Sequence, residues 1–421
     1  MSALSPNSSN SPPFEICSLT PEDWELVLKE AGRHGLAPYL YHKLRSQLSA
    51  ESAPLSPTST GFRSADIPDC VLAELRRAYY HNVAINLQRF HYLGIALRAL
   101  TAATVPVIVL KGGYLAEAVY GNIGLRVMGD IDILVRRENI PAAAEALRST
   151  GYDPREYRLE PPTDANEFHF VHHKSRDIIE LHWEIFKSEY PYAMKSEVVW
   201  PAAVPAKIAK ADVLTLSPED LVCHLAVHAG IHSYNFGLKA LVDVAESIDR
   251  LPLDWKLLAG RARQLRVVRP VWLTLFLSRR MLGSAVPEAV LAELLPPDYS
   301  GTLFDSARER ILLNRDDRSS GNAGNPGNPN LILLFGRKGI RAKLALAFRR
   351  AFPSPAFLAS LYPVSPRSPR LVFYYLRWIR TLIKRNLPAL RAKLSHGWRK
   401  EAKTAGGRDD AALMDWLIRA E

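Results

Sequence analysis

The chain has 421 residues, of which 48% are hydrophobic and 23% charged, a composition typical of globular proteins with more than one domain. Its net charge is +11, but 16 of the basic residues lie between Leu331 and Lys400, where there is no acidic residue. The rest of the chain has 38 basic and 43 acidic residues. This balance argues against a catalytic core that binds long nucleic acid. No apolar run reaches the roughly 18 residues of a membrane span and the first residues do not resemble a signal peptide, so we expect a cytoplasmic protein.

The N-terminal quarter is predicted to be helical after a short tail. Residues 1–14 are rich in Ser, Pro and Asn and are expected to form a disordered leader. Thr20 then supplies a helix N-cap, and Asp23 completes a capping box. Apolar residues recur every three or four positions across 72–100, which predicts one helix of about 30 residues. We assign 15–103 to this helical region.

A buried strand and a glycine turn follow. The apolar run at 107–110 indicates the strand, and Lys111, Gly112 and Gly113 form the turn that opens a short helix. Glycines at such a turn let backbone N–H groups approach a phosphate closely, at the positive end of the helix. This stretch is therefore a candidate phosphate-binding element.

The next strand carries two acidic residues on one side. From Gly129 to Val135 small or acidic residues alternate with apolar ones, so Asp130 and Asp132 share one face of the strand. Two carboxylates kept close together beside an apolar strand repel each other unless a positive charge binds between them. Mg²⁺ is the natural candidate.

The order of these elements resembles a known superfamily. A Gly-Gly turn opening a helix, followed by a strand with Asp-x-Asp, is similar to the DNA polymerase β-type nucleotidyltransferases, and the run from Leu110 to Val135 resembles their branch of uncharacterised nucleotidyltransferases. The resemblance implies an α+β fold in which a polymerase β-type nucleotidyltransferase core, a small mixed sheet with the Asp-x-Asp strand, is flanked by helical N- and C-terminal regions. We place this core at 104–205.

The resemblance also implies a third carboxylate on a later strand. Glu180 lies in the matching segment, just before Leu181, His182 and Trp183, although the family more often has Asp there. By resemblance Asp130, Asp132 and Glu180 are the catalytic residues and hold two Mg²⁺ ions, with Mn²⁺ as an alternative metal.

The same resemblance predicts a reaction. Lys111, Gly112, Gly113 and Arg126 would bind the phosphates of a nucleoside triphosphate such as ATP. A nucleoside monophosphate would pass to an unknown hydroxyl or phosphate acceptor, with release of pyrophosphate. The alternative is a catalytically weak nucleotide-binding or protein-interaction module that keeps the fold.

Several histidines fall outside the acidic motif. His182 is expected on the same strand face as Glu180. A zinc site is one hypothesis for the nearby residues His169, His172 and His173. Two points argue against it: their spacing is not that of a zinc site, and exposed strands often carry polar histidines.

A second set of histidines belongs to a helical domain predicted at 206–313, in which Ser217 and Asp254 are expected to cap helices. His224, His228 and His232 follow one another at intervals of one helical turn, so they could bind a metal or pack toward the cleft or a neighbouring helix. His182, His224 and His228 are candidate substrate-facing residues.

The chain is predicted to end in a linker and a basic region. Glycine, asparagine and proline repeats indicate a flexible linker at 314–330, and 331–421 is expected to be helical and basic. In 371–380 aromatic residues alternate with arginines, which would suit an anionic membrane surface, nucleic acid or the acidic remainder of the same chain. A peripheral contact of 331–400 with the inner face of the membrane is therefore one expectation.

Overall fold

The structure is a computed structural model that describes residues 19–50, 67–162, 165–313, 348, 351–395 and 406–419. The chain divides into two compact units. One unit comprises the described residues up to Ile85 together with Gly124–Val127, and the other comprises Asn86–Ile123 and the described residues from Met128 onward. The predicted leader and linker, and the first part of the predicted basic region, lie outside the described residues.

The first unit is helical. It contains α1 (Pro21–Arg33), α2 (Ala37–Ala50) and the start of α3 (Asp69–Ala102). The capping box is present, because the Thr20 hydroxyl accepts from the Asp23 N–H at 3.3 Å and the Asp23 carboxylate accepts from the Thr20 N–H at 2.9 Å. Its core is apolar and joins all three helices: Trp24, Ala31, Ala37, Tyr41, Leu44, Ile67, Val71 and Leu75.

The second unit is built on a mixed sheet of seven strands in the order β3-β4-β5-β2-β1-β7-β6. β2 runs parallel to β5 and β1 parallel to β7, whereas the other neighbours are antiparallel. The last two strands continue the sheet beyond the core boundary that the sequence suggested at about 205. The strands are β1 (Ile108–Val109), β2 (Ile131–Leu134), β3 (Tyr152–Pro154), β4 (Glu167–His172), β5 (Ile178–His182), β6 (Val204–Ile208) and β7 (Ala211–Thr215).

The two faces of the central strands differ in chemistry. Ile131, Ile133, Ile179 and Leu181 are fully buried on one face, where they form a core with the C-terminal half of α3. Side chains alternate along a strand, so Asp132 and Glu180 lie on the opposite face. The alternation read from the sequence therefore separates the core from the candidate site.

Short helices and turns follow β1 and β2, and an arginine on α3 holds the segments before β2 and β5. α4 (Lys111–Tyr114) follows β1 and continues as a π-helical turn, Leu115–Val119; a 3₁₀ turn, Arg137–Asn139, and α5 (Ile140–Ser149) follow β2. Arg89 on α3 donates from Nε to the Asp177 carboxylate at 3.2 Å and from Nη1 to the Met128 carbonyl. One guanidinium thus ties together the chain segments that lead into β2 and β5.

Most of the remaining helices follow the sheet, and β6 and β7 extend into the helical domain predicted at 206–313. Ser217 and Asp254 cap the helices that begin at Pro218 and Trp255, as predicted. None of the helices in the described ranges is both long and apolar enough to cross a membrane. The helices are α6 (Ser196–Val199) with a 3₁₀ turn (Trp200–Ala202), α7 (Pro218–Ile231), α8 (Leu238–Arg250), α9 (Trp255–Gln264), α10 (Val268–Leu282), α11 (Glu288–Glu293), α12 (Gly301–Leu313), α13 (Pro355–Leu361), α14 (Leu371–Ser395) and α15 (Gly406–Leu417).

Candidate active site

The acidic residues of β2 and β5 stand side by side. The parallel register pairs Asp132 with Glu180, so both carboxylates project from the same face of adjacent strands. His182 lies two residues beyond Glu180 on that face. Ligand atoms of Asp132, Glu180 and His182 all lie within 4.8 Å of one another.

Asp132 is the buried centre of this group. Its Oδ1 lies 2.7 Å from Lys111 Nζ and 3.2 Å from His182 Nε2, and the residue is only 2% exposed. Burial alone would raise the pKa of Asp132, but Lys111 and His182 lower it well below its ordinary value. Asp132 is therefore an anion held by two positive neighbours.

His182 links the carboxylates on three sides. Its Nδ1 lies 3.3 Å from Glu167 Oε2 and 3.3 Å from the side-chain nitrogen of Asn166, and its Nε2 lies 3.7 Å from Glu180 Oε2. Burial would lower the pKa of His182, but Glu167, Asp132 and Glu180 raise it to about 10. The imidazole is thus held in a fixed orientation against Asp132.

Glu180 has the opposite electrostatic environment. Burial and the neighbouring carboxylates, chiefly Asp132 and Glu167, raise the pKa of Glu180. On the adjacent strand β4, His169 Nε2 lies 3.7 Å from Glu180 Oε1 and its Nδ1 lies 2.9 Å from Glu156 Oε1. Asp132 and Glu180 therefore have pKa values displaced in opposite directions.

Asp130 and Arg126 are predicted site residues that lie outside the close group. Asp130 precedes β2 and is half-buried, and its negative charge contributes to the raised pKa of Glu180. Arg126 is buried and belongs to the first compact unit. Nucleotide binding by Arg126 stays a prediction.

The Lys-Gly-Gly turn packs directly against the sheet. Lys111 has a φ of 36°, a left-handed conformation that is strained for a residue with a side chain. A Cβ on Gly113 would lie 2.9 Å from Val109 Cγ1, and both Gly112 and Gly113 are buried. This tight approach holds the lysine where its amine reaches Asp132.

The histidines of α7 form a stack of rings near this site. The ring of His224 stacks on Phe186 at 5.3 Å, and His228 stacks on Phe236 at 5.0 Å. Burial, reinforced by the charge of Lys111, lowers the pKa of His224 to about 3. Neither ring nitrogen of the buried His224 has a hydrogen-bond partner among the described residues. These histidines are packed rings, and the structure does not gather them into a metal site.

The zinc hypothesis gains no support from the geometry. The rings of His172 and His173 stack at 5.0 Å, and His172 Nδ1 lies 3.0 Å from the Ser175 hydroxyl. Within the described residues, the compact group able to hold an ion consists of Asp132, Glu180 and His182.

The donor set of this group fits a hard divalent cation. Four carboxylates, those of Asp130, Asp132, Glu167 and Glu180, act on one another across this group. Carboxylate oxygens are the ligands that Mg²⁺ and Mn²⁺ prefer, whereas imidazole suits them less. Asp132 and Glu180 are therefore the better ligands, and His182 orients Asp132.

Sequence reasoning missed the acidic partner of His182. Glu167 pairs with His182, and His169 with Glu180, in the antiparallel register of β4 and β5. The alternation of Glu167 and His169 was visible in the sequence, but it points to the site only after the register of the hairpin is known.

Comparisons with known proteins identify a family for this chain. The model of a family described as uncharacterised nucleotidyltransferase matches residues 20–283. No curated protein gave a significant match to the chain. The solution structure of the antibiotic-resistance factor ANT(2'')-Ia is a structural neighbour at 14% identity and a TM-score of 0.32, covering 42% of this chain and 94% of that one. A TM-score this low supports no inference about activity or substrate.

Proposed function

Because the chain belongs to the uncharacterised nucleotidyltransferase family, we propose that it transfers a nucleoside monophosphate from a nucleoside triphosphate, with ATP the first to test, to a hydroxyl or phosphate acceptor. Membership of this family agrees with the resemblance seen in the sequence and with the α+β fold class. The observation that carries the proposed reaction is the pairing of Asp132 with Glu180 on parallel strands, with Lys111 bound to Asp132.

The proposed metal ligands are Asp130, Asp132 and Glu180. Two Mg²⁺ ions, or Mn²⁺, would neutralise the triphosphate and activate the acceptor oxygen. His182, itself positioned by Glu167, keeps the Asp132 carboxylate in one orientation. Glu180 is about one-fifth exposed and has a raised pKa, so it is suited to accept the proton of the acceptor hydroxyl.

The proposed nucleotide contacts come from the turn after β1. Backbone N–H groups at Gly112 and Gly113 would approach the phosphates, and Lys111 would balance their negative charge. Arg126 is proposed as a further phosphate contact. His224 and His228 are proposed to lie on the acceptor side, because the charges of Lys111 and Asp132 reach both rings.

An acceptor screen tests this reaction. The purified full-length protein is incubated with nucleoside triphosphates, Mg²⁺ and separate pools of sugars, small alcohols, phosphate esters, proteins and transfer RNA. We expect one pool to gain the mass of a nucleoside monophosphate while pyrophosphate is released. Glu180→Gln should abolish both signals, whereas Glu145→Gln, the same change on the exposed side of α5, should leave them unchanged.

The screen also distinguishes the alternative. Binding of nucleoside triphosphate with Mg²⁺, without pyrophosphate release in any pool, would reject the enzyme and favour a nucleotide-binding module. A cytoplasmic location, where nucleoside triphosphates are available, stays a prediction.

A further inference from the structure

The helix α14 is apolar on two sides. One side packs on α13, where Leu371, Tyr374 and Trp378 join a cluster built around Leu358 and Ala359. The Tyr375 hydroxyl also donates to the Pro353 carbonyl at 2.7 Å. These contacts fix which side of the helix faces the protein.

The other side of α14 exposes large apolar side chains. Phe373 is 70% exposed and Leu376 61%, and Val372 and Ile383 are exposed to a similar extent. At 100° per residue, Val372, Leu376 and Ile383 fall on one stripe of the helix, with Phe373 beside it. An apolar stripe of this kind on a helix surface marks an interaction site more often than chance exposure.

A second group of exposed apolar side chains lies before α13. Phe348 and Phe352 are both exposed, their rings lie 4.9 Å apart, and the ring of Phe352 lies 6.0 Å from that of Tyr375, on the side of α14 that faces the protein. These two rings therefore add exposed apolar surface next to α14. We call these residues and the exposed stripe of α14 the apolar patch.

Positively charged side chains border the patch on α14. Arg377, Arg380 and Lys384 are exposed on the flank of the apolar stripe. No Asp or Glu occurs between Leu331 and Lys400. The patch is therefore complementary to a surface that is negatively charged and has an apolar layer just below.

We propose that the apolar patch and its flanking cations dock on the surface of an anionic lipid bilayer, with α14 lying in the plane of the interface. Basic residues beside aliphatic and aromatic ones are the pattern of helices that bind in this way. Nucleic acid would engage the cations, but its phosphates would leave Val372, Leu376 and Ile383 exposed to water. A lipid interface covers both kinds of side chain.

The docked helix belongs to the same compact unit as Asp132 and Glu180. Tyr157 N–H donates to the Ser360 carbonyl in α13 at 2.6 Å, and Arg158 Nε donates to the Val364 carbonyl, just after that helix, at 3.3 Å. The neighbouring Glu156 binds His169, which lies beside Glu180. Bilayer binding would therefore hold the proposed nucleotide site close to the membrane.

Vesicle flotation with the full-length protein tests the proposal. We expect binding to vesicles of phosphatidylcholine with phosphatidylserine, weaker binding to phosphatidylcholine alone, and release as salt is raised. Point variants are preferable to removal of the C-terminal region, because α15 buries Leu413, Met414 and Leu417 in the same unit. No binding to either vesicle would overturn the proposal.

Charge variants distinguish binding through the cations of α14 from a general attraction of a basic protein to anionic vesicles. Replacing Arg377, Arg380 and Lys384 with Gln should lower the partition coefficient by on the order of 100-fold, about fivefold for each cation lost near the bilayer surface. The matched control removes three exposed lysines elsewhere, Lys174→Gln, Lys207→Gln and Lys256→Gln. Equal losses in the two triple variants would overturn the proposal.

An apolar variant identifies the partner. Leu376→Glu with Ile383→Glu should abolish vesicle binding, whereas Leu257→Glu, at another exposed leucine, should not. If Leu376→Glu with Ile383→Glu left vesicle binding intact, or if the protein bound RNA and not vesicles, the lipid proposal would be wrong. Glu180→Gln should bind vesicles normally, so this result is independent of the proposed reaction.

Discussion

Asp132 and Glu180 are neighbours with opposite electrostatic roles. Lys111 and His182 stabilise the charge of Asp132, whereas burial and other carboxylates disfavour the charge of Glu180. Pairs of carboxylates with pKa values displaced in opposite directions commonly divide binding and proton transfer between them. We therefore expect Asp132 to be a permanent anion and Glu180 to respond to a metal or substrate.

Glu180→Gln tests this division of roles. The raised pKa of Glu180 means that its ionised form disfavours folding at neutral pH, so removal of the charge should leave the melting temperature unchanged or raise it. The affinity of the Glu180→Gln variant for Mn²⁺, measured by electron paramagnetic resonance, should fall by at least about tenfold. The control Glu145→Gln should change neither quantity; unchanged Mn²⁺ affinity in Glu180→Gln would exclude it as a ligand.

Individual residues could be anticipated where the local pattern suffices. The two-residue period placed Asp132 and the resemblance pointed to Glu180, and the structure sets them in register. Glu167 could not be foreseen as the partner of His182, because that contact depends on how β4 pairs with β5.

At the scale of elements, the Lys-Gly-Gly turn has a packing role beside its proposed phosphate role. α4 approaches the sheet so closely that only hydrogen fits at the α carbon of Gly113, beside Val109. The turn also places Lys111 in its strained conformation. Packing and the ion pair with Asp132 thus depend on the same turn.

Gly113→Ala should destabilise the protein by about 1–3 kcal/mol, since the new methyl group would force Val109 or α4 to move. Gly260→Ala on the exposed side of α9 meets no atom within 4 Å and should stabilise by about 0.5–1 kcal/mol through helix propensity. Chemical denaturation measures both changes. Equal stability of the two variants would show that the turn is not tightly packed.

Elements were predictable where their signals are local. The apolar period of α3 predicted about 30 residues and the structure has 34, and the caps at Thr20, Ser217 and Asp254 lie where expected. The parallel pairing of β7 with β1 joins residues about a hundred positions apart. No local pattern encodes such a partner, so the extension of the sheet past 205 could not be foreseen.

On the scale of the whole molecule, the C-terminal region is not uniform. The sequence assigned all of 331–421 to one basic region, but α15 contacts earlier parts of the same unit. Trp416 Nε1 donates to Asp298 at 3.0 Å, and the Tyr192 hydroxyl donates to the Leu417 carbonyl at 3.3 Å. By contrast, α14 keeps an apolar patch exposed. Of the described basic residues in this stretch, Arg377, Arg380 and Lys384 lie exposed beside that patch.

The position of the transferred phosphate tests the proposed reaction most directly. The protein is incubated with Mg²⁺, the acceptor pool that supports turnover, and a nucleoside triphosphate labelled at either the α- or the γ-phosphate. We predict that the α label is retained on the acceptor and the γ label leaves as pyrophosphate, and that Glu180→Gln loses both signals while Glu145→Gln keeps them. Transfer of the γ label to the acceptor, turnover unaffected by Glu180→Gln, or no pyrophosphate release with any pool would contradict the account.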